Sequence, residues 1–191
     1  MRGFSLLEIM LAASVAGVIG ILLISILVNT SGFFYQQQSV INEGLSLNDV
    51  LGQISSLVKG AQSVANNYPE TGTPQFTTSS TILVLKLPGI NQNEVLPDVS
   101  DFVVVTKDPQ NLKILTLKIF PDPRSTRELK DSVLTTLLDA IKFSYLDKTG
   151  SEVLTPNLAE TVRIDLTVLA KTGSIGSKRS AGITVNLRNV K

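Results

Sequence analysis

The chain of 191 residues has no cysteine, no histidine and no tryptophan. Without cysteine there is no disulfide and no thiolate chemistry. Without histidine the commonest general base and metal ligand are gone. That excludes a Ser-His-Asp triad and any His- or Cys-based zinc site. Basic residues are scarce at one end, where Arg2 is the only Lys or Arg before Lys59. The 17 Lys and Arg, Arg2 among them, face 16 Asp and Glu, so the chain beyond residue 3 is balanced in charge. No basic excess points to nucleic acid or to anionic lipid. The length allows one domain plus an anchor.

What the chain does have is concentrated at its start. Met1-Arg2-Gly3 is followed by Phe4-Ser5-Leu6-Leu7-Glu8 and then by Ile9 to Val28 without a charge. As a helix rising about 1.5 Å per residue, this run is long enough to cross a bilayer core of about 30 Å. Glu8 sits inside the apolar block, behind Phe4, Leu6 and Leu7. A carboxylate in lipid costs about 2.5–3.5 kcal/mol on insertion scales and marks function by default. An ordinary secretory signal places its small-residue cleavage site after the apolar run. Here the small-residue site, Gly3-Phe4, precedes it, so cleavage there retains the apolar helix.

The run Gly3-Phe4-Ser5-Leu6-Leu7-Glu8 resembles the processing motif of the type IV pilin and type II secretion pseudopilin superfamily. The resemblance implies that a prepilin peptidase cuts after Gly3, that Phe4 becomes the methylated N-terminus, and that Glu8 guides assembly. No catalytic residue, metal or cofactor is expected. The implied partners are the peptidase, other pilin or pseudopilin subunits, an inner-membrane assembly platform and membrane lipid. Short cytoplasmic flanks carry the positive charge, so Arg2 places the N-terminus inside and the remainder outside. The amine freed on Phe4 and the Glu8 carboxylate are opposite charges in a low-dielectric medium. Pairing them between subunits offsets part of the cost of burying each. Many major pilins close a C-terminal loop with a disulfide, from which this chain departs. They also carry a proline where Ser25 stands, so no proline kink is expected. Gly17 and Gly20 are read either as points where the helix unwinds in a filament or as places of close packing.

The sequence divides into a leader (1–3), a membrane or filament-core helix (4–28), an amphipathic continuation (29–66) and a sheet-rich extracytoplasmic domain (67–191). In the continuation, Val50 or Leu51, Ile54, Leu57 or Val58, Ala61 and Val64 or Ala65 form one apolar stripe. Gln53, Ser55, Ser56, Lys59 and Gln62 fill the other face. Asn66-Asn67-Tyr68-Pro69 is expected to end the helix. Strands are expected at 81–87, closed by Pro88-Gly89, and at 101–106, 113–119, 141–146, 161–169 and 183–187. Pro109-Gln110-Asn111 reads as a hairpin loop. The spacing of Leu129, Val133 and Leu137 predicts a short helix within 127–138. Asp147 to Gly150 reads as a turn, and Lys171 to Gly182 as a loop before the last strand. The fold class is α+β, a long N-terminal helix packed on a mostly antiparallel sheet.

A second resemblance lies in the C-terminal half. Leu137 to Asp147 with Gly150, together with Val162-Arg163-Ile164 and Val185 to Asn189, is similar to W-type minor pilins and J-type minor pseudopilins. These prime filaments and sit at or near the tip. Phe143 and Tyr145 are read as strand or core residues. Other candidates are weaker. Lys171, Lys178 and Arg179 flank a loop that either touches DNA or is a solvated hairpin, and they lack interleaved aromatics. Asp98, Asp101 and Asp122 are either calcium ligands or surface-turn residues, without the Asp-x-Asp-x-Asp-Gly pattern. Phe33, Phe34 and Tyr35 follow the span as interface anchors or filament contacts. The sequence thus reads as a non-enzymatic filament subunit. The competing reading is an uncleaved, single-span membrane-anchored protein whose outer domain binds or senses a ligand.

Overall fold

A computed structural model describes residues 6–92, 94–172 and 175–188 of the chain. Two compact units are present, Met1–Asn42 and Glu43–Lys191. One helix, α1 (Leu6–Gly60), passes through both. Ten strands follow among the described residues: β1 (Ser63–Val64), β2 (Asn67–Tyr68), β3 (Phe76–Thr77), β4 (Leu83–Asn91), β5 (Glu94–Lys107), β6 (Leu115–Phe120), β7 (Lys130–Thr135), β8 (Leu138–Leu146), β9 (Thr161–Thr172) and β10 (Ile175–Asn186). They form a five-stranded sheet β1-β4-β5-β6-β7, a three-stranded sheet β10-β9-β8 and the two-stranded pair β2-β3. Every ladder is antiparallel. The fold is therefore α+β.

The core of the second unit is where the amphipathic reading is tested. Leu47, Val50, Leu51, Ile54 and Val58 bury one stripe of α1. The stripe shares a continuous core with Leu83, Leu85, Val103 and Val105 of the five-stranded sheet and with Phe143, Val162 and Ile164 of the three-stranded one. Each such buried aliphatic chain contributes about 1.5–3 kcal/mol of burial free energy. Ser55, expected on the polar face, is buried instead. The helix ends at Gly60 rather than at Asn66. The Ala61 amide closes the last turn on the Val58 carbonyl at 3.1 Å, a tighter i to i+3 bond. Ala61, Val64 and Ala65 are buried as expected, but outside the helix, because the chain turns to pair β1 with β4.

In β9 the expected alternation holds: Val162, Ile164, Leu166 and Val168 are buried and the residues between them face outward. Three expectations are overturned. Pro88-Gly89 does not close a strand, for β4 continues to Asn91 with a register shift between them. Proline is tolerated at such a bulge, and a side chain at Gly89 would collide with Val99. The helix within 127–138 is absent, its place taken by β7 and the start of β8. Leu129, Val133 and Leu137 are 74%, 56% and 41% exposed, so their four-residue spacing buries no helical stripe. Pairing of β7 with β6 overrode the local pattern. Finally, most of the expected loop Lys171 to Gly182 is strand, since β10 starts at Ile175 and pairs with β9 through to Asn186.

The turns match their sequence chemistry. Asp108 accepts hydrogen bonds from the amides of Gln110 (2.7 Å) and Asn111 (3.1 Å) in the β5–β6 connection. Asp147 Oδ1 accepts from the Thr149 hydroxyl (2.7 Å), the Thr149 amide (2.8 Å) and the Ser151 amide (2.9 Å). Gly150 supplies the positive φ of 83° that this turn needs. The Thr149 hydroxyl, followed by the Ser151 amide, holds the Asp147 carboxyl below its ordinary value of 3.8. A carboxylate depressed on folding lends stability above its unfolded value, and that stability is lost as pH falls through the folded one. An Asp147→Asn chain is therefore expected to lose less of its remaining stability than the parent as pH falls below about 3.8. Thermal melts from pH 5 down to 2 check this, and parallel acid limbs for the two chains would refute it.

Candidate functional site

The N-terminal unit contains Leu6–Val28, a helical segment of 23 residues that is long and apolar enough to cross a membrane. At a rise of about 1.5 Å per residue it spans about 35 Å. Its described large apolar side chains are all exposed, from 51% at Ile19 to 77% at Leu6. A helix that is apolar all round is the kind buried by lipid or by other helices, not by one face of its own domain. Within it the one described hydroxyl bond satisfies a polar group locally, Ser14 Oγ donating to the Met10 carbonyl at 2.9 Å. The helix runs on through Ser25 without a proline. At Gly17 and Gly20 nothing lies within 4 Å of where a side chain would start.

Glu8 lies in the first turn of this helix and is exposed. There the unsatisfied amides of the helix start favour a negative charge, by about 0.3–1 kcal/mol. The two residues of the expected cleavage site, Gly3 and Phe4, lie outside the described residues. So do the side chains of Phe33, Phe34, Tyr35 and Lys171.

The three aspartates weighed as calcium ligands are not gathered into one site. Asp101 is fully buried and its oxygens are taken. Arg127 Nε donates to Oδ2 at 2.8 Å, Ser125 Oγ donates to Oδ2 at 2.8 Å, and the Asp122 amide donates to Oδ1 at 2.9 Å. Arg127 Nη2 reaches on to the Pro88 carbonyl at 3.2 Å, and the Thr126 amide to the Ile90 carbonyl at 2.7 Å. This network staples segment 121–127 across the β4 bulge. Asp122 faces Arg124, whose side-chain hydrogen bond holds the Asp122 carboxyl below its usual range and raises the guanidinium in turn. Asp98 is exposed. Sequence inspection missed the Asp101–Arg127 pair because 26 residues separate its members.

The basic candidates are dispersed as well. Lys178 Nζ bonds Asp139 Oδ2 at 2.8 Å. Arg179 is the register partner of Val168, on the core-facing row, and thus points opposite to Lys178. Tyr145 belongs to the core, and its hydroxyl donates to the carbonyls of Ser79 (2.8 Å) and Ile82 (3.1 Å). Burial pushes its phenol well above the ordinary value. Compared with known proteins, the chain matches no protein-family model and no curated sequence.

Proposed function

We propose that this chain is a non-enzymatic structural subunit of a type IV pilus-like or type II secretion filament. A prepilin peptidase cuts it between Gly3 and Phe4, Phe4 is N-methylated, and the apolar helix then moves from the cytoplasmic membrane into a filament core. The observation that carries this reading is the order of elements at the N-terminus: Gly3, Phe4, a carboxylate at Glu8, and a helix from Leu6 to Val28 that is exposed on every side. An anchor alone has no need of a carboxylate inside its apolar run, which costs insertion energy. A filament subunit does, because the charge can fix register against an amine on its neighbour. The length and the C-terminal motifs around Phe143, Tyr145, Asp147 and Gly150 favour a minor subunit that primes assembly or sits at the tip. Its partners are the peptidase, other pilin-like subunits, the inner-membrane assembly platform and lipid.

The test is intact mass and N-terminal sequencing of membrane-extracted protein, made with and without the peptidase. A peptidase-dependent start at a methylated Phe4 is the expected result. Retention of Met1-Arg2-Gly3 in the presence of active peptidase would overturn it and favour the uncleaved, anchored binding or sensor protein.

A further inference from the structure

The strand β10 ends the three-stranded sheet, with β9 on one side only. In an antiparallel ladder, pairs that exchange hydrogen bonds alternate with pairs whose amides and carbonyls point away. The Leu187 amide donates to the Glu160 carbonyl at 2.9 Å, in line with the register of β10 on β9. The odd-numbered residues of β10 therefore bond β9, and Ser180, Gly182, Thr184 and Asn186 turn their amides and carbonyls to the open side. The Leu169 amide, which donates to the Leu137 carbonyl at 2.8 Å, fixes the same alternation from the other edge of β9. None of these outward backbone groups has a protein hydrogen bond among the described residues.

Sheet edges are ordinarily blunted by shortness, charge, proline, a bulge or a covering segment. The end strands β1 and β7 are two and six residues long, and β7 carries Lys130 and Asp131. On the outer edge of β8, Ser80 and Val153 take the Phe143 amide and the Tyr145 carbonyl. From Ser180 to Asn186, β10 has no such protection: its register on β9 is unbroken and every residue is uncharged and free of proline. Charge is confined to the two ends of this run. Arg179 precedes it on the core-facing row, half-buried, its Nε enclosed without an acceptor. Beyond Asn186 a cavity of about 500 Å³ opens where α1 ends beside β10, lined in part by Ser56, Lys59, Leu187 and Arg188. Lys59 and Arg188 are exposed and have no ion pair among the described residues. A second copy of β10 is a poor occupant. Antiparallel self-pairing about Gly182 brings the Arg179 end of one copy to the Arg188 end of the other, and parallel pairing sets like ends together, so basic groups meet either way.

We infer that the open edge of β10 receives an extended segment of another protein, in antiparallel pairing, with a carboxylate at each end of an uncharged run. Antiparallel pairing is the more stable per residue and is the mode of β10 on β9. Arg179 and Leu187 are eight residues apart on one row, about 26 Å at about 3.3 Å per residue. Carboxylates at that spacing reach Arg179 at one end and the cavity of Lys59 and Arg188 at the other. Between them, every second residue extends the row of Ala181, Ile183 and Val185, and so is apolar. The main chain provides affinity, and the terminal charges set the register.

The probe is a fluorophore-labelled, end-blocked peptide, Thr-Glu-Thr-Val-Thr-Val-Thr-Val-Thr-Glu-Thr, titrated into the full chain in non-ionic detergent micelles and read by fluorescence anisotropy. Saturable binding is expected. In this register the threonine amides face β10 and the valine amides turn away. N-methylation of the two threonines beside the middle valine is therefore expected to weaken binding about tenfold or more, and N-methylation of the two outer valines to leave it within about twofold. Replacing both glutamates by glutamine is expected to weaken it about tenfold. In a chain carrying Lys59→Gln, Arg179→Gln and Arg188→Gln, the glutamate and glutamine peptides bind alike. None of the three residues has an ion pair among the described residues, so the fold is retained, which circular dichroism checks. No saturable binding at millimolar peptide overturns the proposal, as does an equal response to the two methylations or a loss confined to the methylated valines. A glutamine peptide bound as tightly as the glutamate one overturns it too, as does a preference for glutamate that the triple substitution leaves unchanged. The titration reads the same whether or not the chain enters a filament.

Discussion

A Glu8→Ala chain is expected to insert into the membrane as the parent does and to be missing from assembled filaments. The two halves of this result have different causes. Removing a carboxylate from an apolar segment relieves an insertion cost, about 2.5–3.5 kcal/mol at the centre of a span and less in the first turn where Glu8 stands, so membrane residence is not weakened. The favourable interaction with the helix start that is lost is smaller, about 0.3–1 kcal/mol. In the proposed filament the same carboxylate faces the amine of Phe4 on a neighbouring subunit. Deleting one member of a buried ion pair leaves the other uncompensated and costs about 3–5 kcal/mol, more than a hundredfold in the incorporation equilibrium. Immunoblots of sheared filaments and of membrane fractions measure both halves. Incorporation at the parental level would remove the register role of Glu8, and loss of the chain from the membrane would show that Glu8 serves insertion instead.

An Arg127→Met chain is expected to lose about 3–5 kcal/mol of stability, a large share of the roughly 5–15 kcal/mol typical of a domain. The substitution strands a fully buried carboxylate, because Arg127 Nε is the cation bonded to Asp101. It also frees the Pro88 carbonyl that Arg127 holds at the β4 bulge. Changing both residues, Asp101→Leu with Arg127→Met, is expected to recover part of the loss. Apolar replacements leave no buried charge behind, although the Asp122 amide and the Ser125 hydroxyl still lose an acceptor. Urea unfolding of the four chains of this cycle measures the coupling. A single Arg127 variant within 1 kcal/mol of the parent would show that the pair contributes geometry rather than stability.

Legibility followed how far each signal reaches along the chain. The alternation of Val162, Ile164, Leu166 and Val168 was readable because a half-buried strand writes its environment every second residue. The stripe Val50, Ile54 and Val58 was readable for the same reason at helical spacing. Asp147 and Gly150 gave their turn away by residue chemistry alone. The helix end at Gly60 was missed because Ala61, Val64 and Ala65 continue an apolar spacing that a two-residue strand also satisfies. In and around β7, Leu129, Val133 and Leu137 mimic a helix, and only pairing with β6 decides otherwise. Asp101 and Arg127 meet only through the tertiary fold, for which a single sequence carries no local mark. The N-terminal motif is the opposite case. Its information lies wholly in residue identity and order, to which the structure adds that Glu8 stands in the first turn of α1.

The order of the strands bears on how the domain comes into being. Apart from β1 with β4, where the β2–β3 hairpin intervenes, every ladder joins strands adjacent in sequence. Loop closure is inexpensive for such neighbours, so few pairings wait on a distant partner. A chain delivered N-terminus first can lay each strand beside the last as it emerges, against a helix stripe already made. In this sense the meander is a schedule: the sheets can be completed in the order in which they are synthesised, with little time spent as unpaired edges open to aggregation.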